Sequence, residues 1–262
     1  MYDDDGMAAL RQRRTPVKHF GETLRASKYS YRLKRAEYAL ISRKPTAKRP
    51  RYEYSAEEWD AEAWAFEDEA HMRFSDEFCE DRRQAALENF DLNMAFFKQL
   101  SGKGFLDALS GMLAKHESLQ PVKDLRDWAG VEGVYVMVLD RYKQAYTGQA
   151  EDIRGRIKRH WSGTKQFDRL IFEDKETSVL SIDSFRALDT SRIFAAKTKR
   201  RWELERRIVN DYQPDFLLNR VPGGERPTGD RFLLWEVKRR QLLANTRESK
   251  EESGAVDLVV AD

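Results

Sequence analysis

Cysteine is almost missing from this chain. A single residue, Cys79, stands among 262, which excludes an internal disulfide and any paired-cysteine metal motif. Long apolar runs are also missing. The longest, Val134–Leu139, falls far short of the ~20 residues that cross a bilayer. The N-terminus reads Met1-Tyr2-Asp3-Asp4-Asp5, acidic and without an apolar core, so it does not read as a secretory signal. Net charge is nearly absent at +2, so overall charge selects no partner. These absences lead to the expectation of a soluble, cytoplasmic protein with no membrane partner.

The chain is rich in rings and in charge of both signs. Six Trp and fourteen Phe offer core material although only 40% of residues are hydrophobic. The length suits one or two domains. Charge is blocked. Residues 1–53 hold 14 Lys and Arg against 6 Asp and Glu, residues 54–91 hold 3 against 13, and residues 131–240 hold 23 against 17. Such blocks suggest surfaces with different partners, or simply solvated helix faces.

Four regions follow from composition and period. Residues 1–54 form a basic, tyrosine-containing arm or linker, with Arg32, Lys34 and Arg35 as candidate nucleic-acid contacts and a short helix within Leu24–Ile41. A flexible tail or a partner-binding segment is an equal reading. Residues 55–125 read as a helical domain: a capping box at Ser55-Ala56-Glu57-Glu58, then stripes at Trp59/Ala63/Phe66/Ala70, Leu87/Phe90/Met94/Phe97 and Phe105/Leu109/Met112/Leu113. These stripes are core packing. The acidic stretch 54–91 within it is a candidate protein-binding surface. His71 and His116 are isolated and read as surface residues. Pro121 marks a boundary. Residues 126–222 change to strand periodicity, and residues 223–262 read as a partly disordered extension in which Phe232–Ala244 forms a helix.

Within the third region, Val134, Val136 and Val138 alternate with Tyr135, Met137 and Leu139, a strand apolar on both faces. Asp140–Lys143 is the turn, although it lacks Gly, and Gln144–Thr147 the return strand. A helix over Glu151–Trp161, a third strand over Val179–Phe185 and a long helix over Arg192–Tyr212 complete the pattern. The fold class expected is α+β: a helical N-terminal region, then a small, mostly antiparallel three-stranded sheet flanked by helices.

One constellation here carries chemistry. Gly133-Val134-Tyr135 is followed after ten residues by Tyr146-Thr147-Gly148, and Arg156 lies ten residues past Tyr146. Glu205, Tyr212-Gln213-Pro214 and Asn219 come later. Over residues 131–220 the chain resembles the GIY-YIG nuclease family. The resemblance implies a GIY-YIG-like sheet, a metal-dependent endonuclease hydrolysing phosphodiester bonds, with DNA as the expected substrate, and a Mg²⁺ or Mn²⁺ ion on Glu205. It implies catalytic roles for Tyr135, Tyr146, Arg156, His160, Glu205 and Asn219. Two departures stand out: Thr147 replaces the central Ile, and Asn219 lies slightly farther past Pro214 than is usual.

The residue types suit that chemistry. On a helical wheel Glu205 falls in the arc of Trp202, Leu204, Ile208, Val209 and Tyr212, whereas Glu203 falls opposite. A carboxylate on an apolar face is costly unless it is paired or binds a metal. Hard oxygen donors suit Mg²⁺ or Mn²⁺. Arg156 and His160, at i and i+4, share one edge of the Ile153/Ile157/Trp161 stripe, and Arg offers a planar fork to phosphate oxygens. Arg154, Lys158 and Arg159 sit farther round and are candidate nucleic-acid contacts. Which tyrosine activates water, and whether His160 shares that role, stays open at this stage. So do two other classes of function: a non-catalytic nucleic-acid-binding module, and a partner-regulated effector.

Overall fold

A computed structural model describes residues 15–25, 29–45, 51–53, 55–162 and 180–219. The expected extension 223–262 and its helix lie outside the described residues. Within them the protein is α+β, with six α-helices and two small antiparallel sheets.

The larger sheet explains the rest. Its two longest strands are β4 (Gly133–Leu139) and β5 (Gln144–Ala150), paired antiparallel with Tyr135 opposite Gly148 and Met137 opposite Tyr146. All seven residues of β4 are buried, as an apolar run with two covered faces requires. The turn lacks Gly, and Lys143 takes the left-handed backbone conformation, φ 52°. That costs a non-Gly residue roughly 1–2 kcal/mol. Its ammonium donates to the carbonyls of Phe97 and Lys98 at 2.9 and 3.1 Å, which offsets the strain.

Two sequence expectations are corrected here. The strand on the other side of β4 is β6 (Arg192–Lys197), which pairs with it antiparallel; it had been read as the start of a helix. The helix begins only at Arg201. The run Ile193-Phe194-Ala195-Ala196 has no Gly or Pro to separate it from that helix, and its alanines favour helix locally. Burial decides against them: Ile193 and Ala195 face one side of the sheet, Ala196 and Phe194 the other. The segment expected as a third strand instead makes a 3-10 turn at Ile182–Ser184, capped by Ser181. A short fourth strand, β3 (Gln120–Pro121), adds to the outside of β6, giving the order β3-β6-β4-β5. Pro121, expected as a domain boundary, is therefore part of the sheet. Its missing N–H is tolerated because the strand is an edge.

Helices cover both faces. On one, Val134, Val136 and Val138 meet Phe105, Leu109 and Met112 of α4 (Gly102–Lys115) and Leu204, Ile208 and Val209 of α6 (Arg201–Asp211). On the other, Tyr135, Met137 and Leu139 meet Ile153, Ile157 and Trp161 of α5 (Ile153–Ser162) and Leu87, Phe96 and Phe97 of α3 (Asp76–Gln99). Each such side chain contributes roughly 1.5–3 kcal/mol. The stripes expected in α3 and α4 are thus core, and that core is shared with the sheet.

The N-terminal segment also differs from expectation. Instead of a free arm it forms a hairpin, β1 (Val17–His19) and β2 (Glu22–Leu24), and a single helical turn, α1 (Arg35–Tyr38). The Leu125 amide donates to the Phe20 carbonyl, and His19 and Phe20 stack against Trp161. Tyr38 is buried and accepts from Asn89 of α3. The acidic segment starts at α2 (Ala56–Glu62) with the expected capping box. His71 and His116 are buried. His71 stacks between Trp59 and Phe66, with ring centroids 3.6 and 4.2 Å away, and His116 lies 2.9 Å from Asp211.

Candidate active site

The register of β4 and β5 turns Tyr135 and Tyr146 to the same face of the sheet, with ring centroids 6.3 Å apart. Gly148 makes room for them. A Cβ there would stand 2.4 Å from the Tyr135 hydroxyl and 2.9 Å from the Tyr146 ring. Tyr135 is fully buried, and Tyr146 is partly exposed. Burial pushes the Tyr135 phenol well above its ordinary value, with Tyr146 adding to the rise and Arg156 opposing it. Tyr146 is pushed up to about 12, again chiefly by burial and again against Arg156.

Helix α5 brings the next two groups. The Asp152 side chain accepts from the amides of Gly155 and Gly130, which fixes where the helix starts. Arg156 and His160 then project along one flank toward the tyrosines. His160 Nε2 lies 2.7 Å from the Tyr135 hydroxyl, and its ring centroid is 5.2 Å from that of Tyr146. The Arg156 guanidinium sits beside both phenols. Burial pulls it down, but the two phenols outweigh this and hold it above its ordinary value.

Glu205 arrives from α6 on the other side of the sheet residues. It is only 6% exposed, and its Oε2 has no hydrogen-bond partner. Burial raises its carboxyl to about 7, against the pull of Arg156. Glu203 is exposed, as the wheel predicts. Trp202, placed in the apolar arc by the same wheel, is 54% exposed, because the arc narrows at the first turn of the helix.

Asn219 does not join this cluster. Its side chain clamps β5 from outside: the Oδ1 accepts from Thr147 N at 2.8 Å and the Nδ2 donates to Thr147 O at 2.6 Å. Thr147 lies between Tyr146 and Gly148, so Asn219 sets the backbone that carries both.

Four of the six expected nucleic-acid contacts have protein partners. Arg154 and Lys158 both bind Glu22 of β2, at 2.5 and 3.0 Å. Arg35 forms a two-point pair with Asp91, and Arg32 donates to the Leu188 carbonyl. Their fixed positions correct the expectation of a loose basic arm. Lys34 and Arg159 are exposed.

One residue of the cluster was missed by sequence reasoning. Asp183, in the 3-10 turn Ile182–Ser184, places Oδ1 2.6 Å from His160 Nδ1. Read as a strand residue, it carried no signal of periodicity or spacing.

No group of three or more His, Cys, Asp or Glu side chains suited to a metal occurs among the described residues. Among the described residues, Glu205 alone offers a buried carboxylate oxygen without a partner. No family model, curated protein or solved structure matches the chain.

Proposed function

We propose that the protein is a divalent-metal-dependent endonuclease of the GIY-YIG type, hydrolysing phosphodiester bonds in DNA. The observation that carries this reading is Glu205: a buried carboxylate with a partnerless oxygen, within electrostatic reach of Arg156, Tyr135 and Tyr146.

One carboxylate suits Mg²⁺ or Mn²⁺. Mg²⁺ commonly binds through one or two carboxylates and keeps several waters or phosphate oxygens. When bound, such an ion supplies positive charge for a leaving oxygen. The chain's own groups do the rest. Arg156 offers its planar fork to the non-bridging phosphate oxygens and opposes their growing charge. Tyr135, joined to His160, takes up the proton of the attacking water. Tyr146, the less buried of the two phenols, orients the scissile group beside Arg156. Arg159 and Lys34 offer exposed charge to the DNA backbone. A protein partner for the acidic stretch 54–91 remains part of this reading, because Trp64 and Met72 stand 54% and 55% exposed there.

The test is incubation of the whole chain with supercoiled plasmid, with and without Mg²⁺ or Mn²⁺. Wild type should nick the plasmid only with metal. Glu205→Ala should abolish nicking with unchanged circular dichroism, and Glu203→Ala should not. Metal-independent cleavage, or equal activity of wild type and Glu205→Ala, would overturn the assignment.

A further inference from the structure

Three side chains form an ordered line behind the sheet face: Asp183 Oδ1, 2.6 Å from His160 Nδ1, and His160 Nε2, 2.7 Å from the Tyr135 hydroxyl. All three are sheltered. Tyr135 and His160 are 0% and 1% exposed, and the Asp183 side chain is 14% exposed. Neither distance leaves room for water between the partners, so each is a direct hydrogen bond.

Donor and acceptor roles can be assigned from the two ends inward. An ionised aspartate only accepts, so the proton between it and the ring belongs to His160 Nδ1. A guanidinium only donates, and Arg156 stands at the far end beside the phenol oxygen. The Arg156 cation beside the phenol disfavours a second positive charge on the ring, so His160 stays neutral and, with its proton on Nδ1, carries a lone pair on Nε2. Tyr135 then sends its own hydrogen to Nε2. A doubly protonated ring would turn Nε2–H toward the phenol oxygen and leave the buried O–H without its acceptor.

We propose that Asp183 is a positioning residue of this site: it fixes His160 as the Nδ1–H tautomer and so makes Nε2 the proton acceptor for Tyr135. This role rests on the nuclease reading for its effect on turnover, though not for its effect on the ring. When Tyr135 gives up its proton, the O–H bond breaks and an Nε2–H bond forms. The new imidazolium then lies against the Asp183 carboxylate, and the new phenolate lies against Arg156. Each new charge meets an opposite one already in place. Without that, a phenol as deeply buried as Tyr135 holds its proton too tightly to act near neutral pH. The logic of a carboxylate that orients a histidine for proton uptake is general to catalytic sites. Here the acceptor acts on a tyrosine, and the carboxylate comes from a turn otherwise outside the constellation.

The experiment is nitrogen-15 NMR of the full chain labelled at histidine, beside steady-state cleavage with Mg²⁺. The chain has four histidines, and loss of one signal set in His160→Gln assigns the ring. Wild type should show Nδ1 protonated and Nε2 bare. Asp183→Asn is nearly isosteric, and its amide N–H donates to Nδ1, so the ring should switch to the Nε2–H tautomer. Turnover should fall by about 10²-fold or more at nearly constant KM. Asp183→Glu should restore the wild-type tautomer and part of the turnover. A wild-type ring protonated at Nε2 overturns the proposal. So does an Asp183→Asn protein that keeps both tautomer and turnover, or one that loses turnover without the switch. Absence of cleavage by wild type overturns the nuclease reading instead, and the NMR result still decides what Asp183 does to His160.

Discussion

Glu205 couples the site to stability through pH. Its carboxyl is raised from the ordinary 4.5 to about 7, so the folded chain holds that proton where the unfolded chain has released it. Stability from this group is full below about pH 4.5 and is lost as pH rises to about 7. The loss is on the order of 3 kcal/mol, at 1.36 kcal/mol per unit. Urea midpoints between pH 5 and 8 should therefore fall more steeply in wild type than in Glu205→Gln. Added Mg²⁺ should recover part of the loss at pH 8 in wild type alone, since it binds the ionised form. Gly148 acts at the same scale. In Gly148→Ala the new methyl carbon starts 2.4 Å from the Tyr135 hydroxyl, so Tyr135 must move. Misplacing a reacting group by about 1 Å costs about 10²-fold, and kcat of this variant should fall by that order while the fold survives.

The elements differ in how well they show in the sequence. Strand β4 and helices α4 and α5 were legible because each repeats one period without interruption: the Val134–Leu139 run, the Phe105–Leu113 stripe, and Ile153, Ile157 and Trp161. Tyr135, Arg156 and His160 were legible with them, since their place follows from register on those elements; Tyr146 followed from its spacing to Tyr135, and Glu205 from the apolar arc of α6. Strand β6 was not legible, because its apolar run Ile193–Ala196 shows no alternation and its alanines favour helix locally. Asp183 sits in an irregular turn whose position depends on tertiary packing alone. Asn219 was legible as a residue, but its task was not, because its partner is a backbone rather than a side chain. That task gives a prediction. Asn219→Ala removes two hydrogen bonds from Thr147, so the Thr147 amide should exchange with solvent markedly faster than in wild type. Cleavage should weaken with it, while Mg²⁺ affinity stays unchanged.

Across the whole molecule, the N-terminal segment belongs to the body that carries the site. Glu22 on the hairpin holds Arg154 and Lys158 of α5, two residues before and two after Arg156. The hairpin therefore withholds two cations from any nucleic acid that approaches the helix. Glu22→Gln should release them. DNA binding should tighten at low salt, and the plot of log Kobs against log salt should steepen by up to about 2, close to one unit per added phosphate contact. An unchanged slope would mean that the DNA does not pass over this flank of α5.

Both borders of the larger sheet are partly blocked among the described residues. On one side, two-residue β3 ends in Pro121, which offers no N–H to a newcomer. On the other, Ala145 O accepts from the Leu218 amide, and both backbone groups of Thr147 are taken by Asn219. A second copy of the chain finds these ladder positions already taken. On the nuclease reading, in which one site cuts one strand, a break in both strands would then be organised by helical or loop surfaces between paired subunits, or by two separate visits of a single molecule to the duplex.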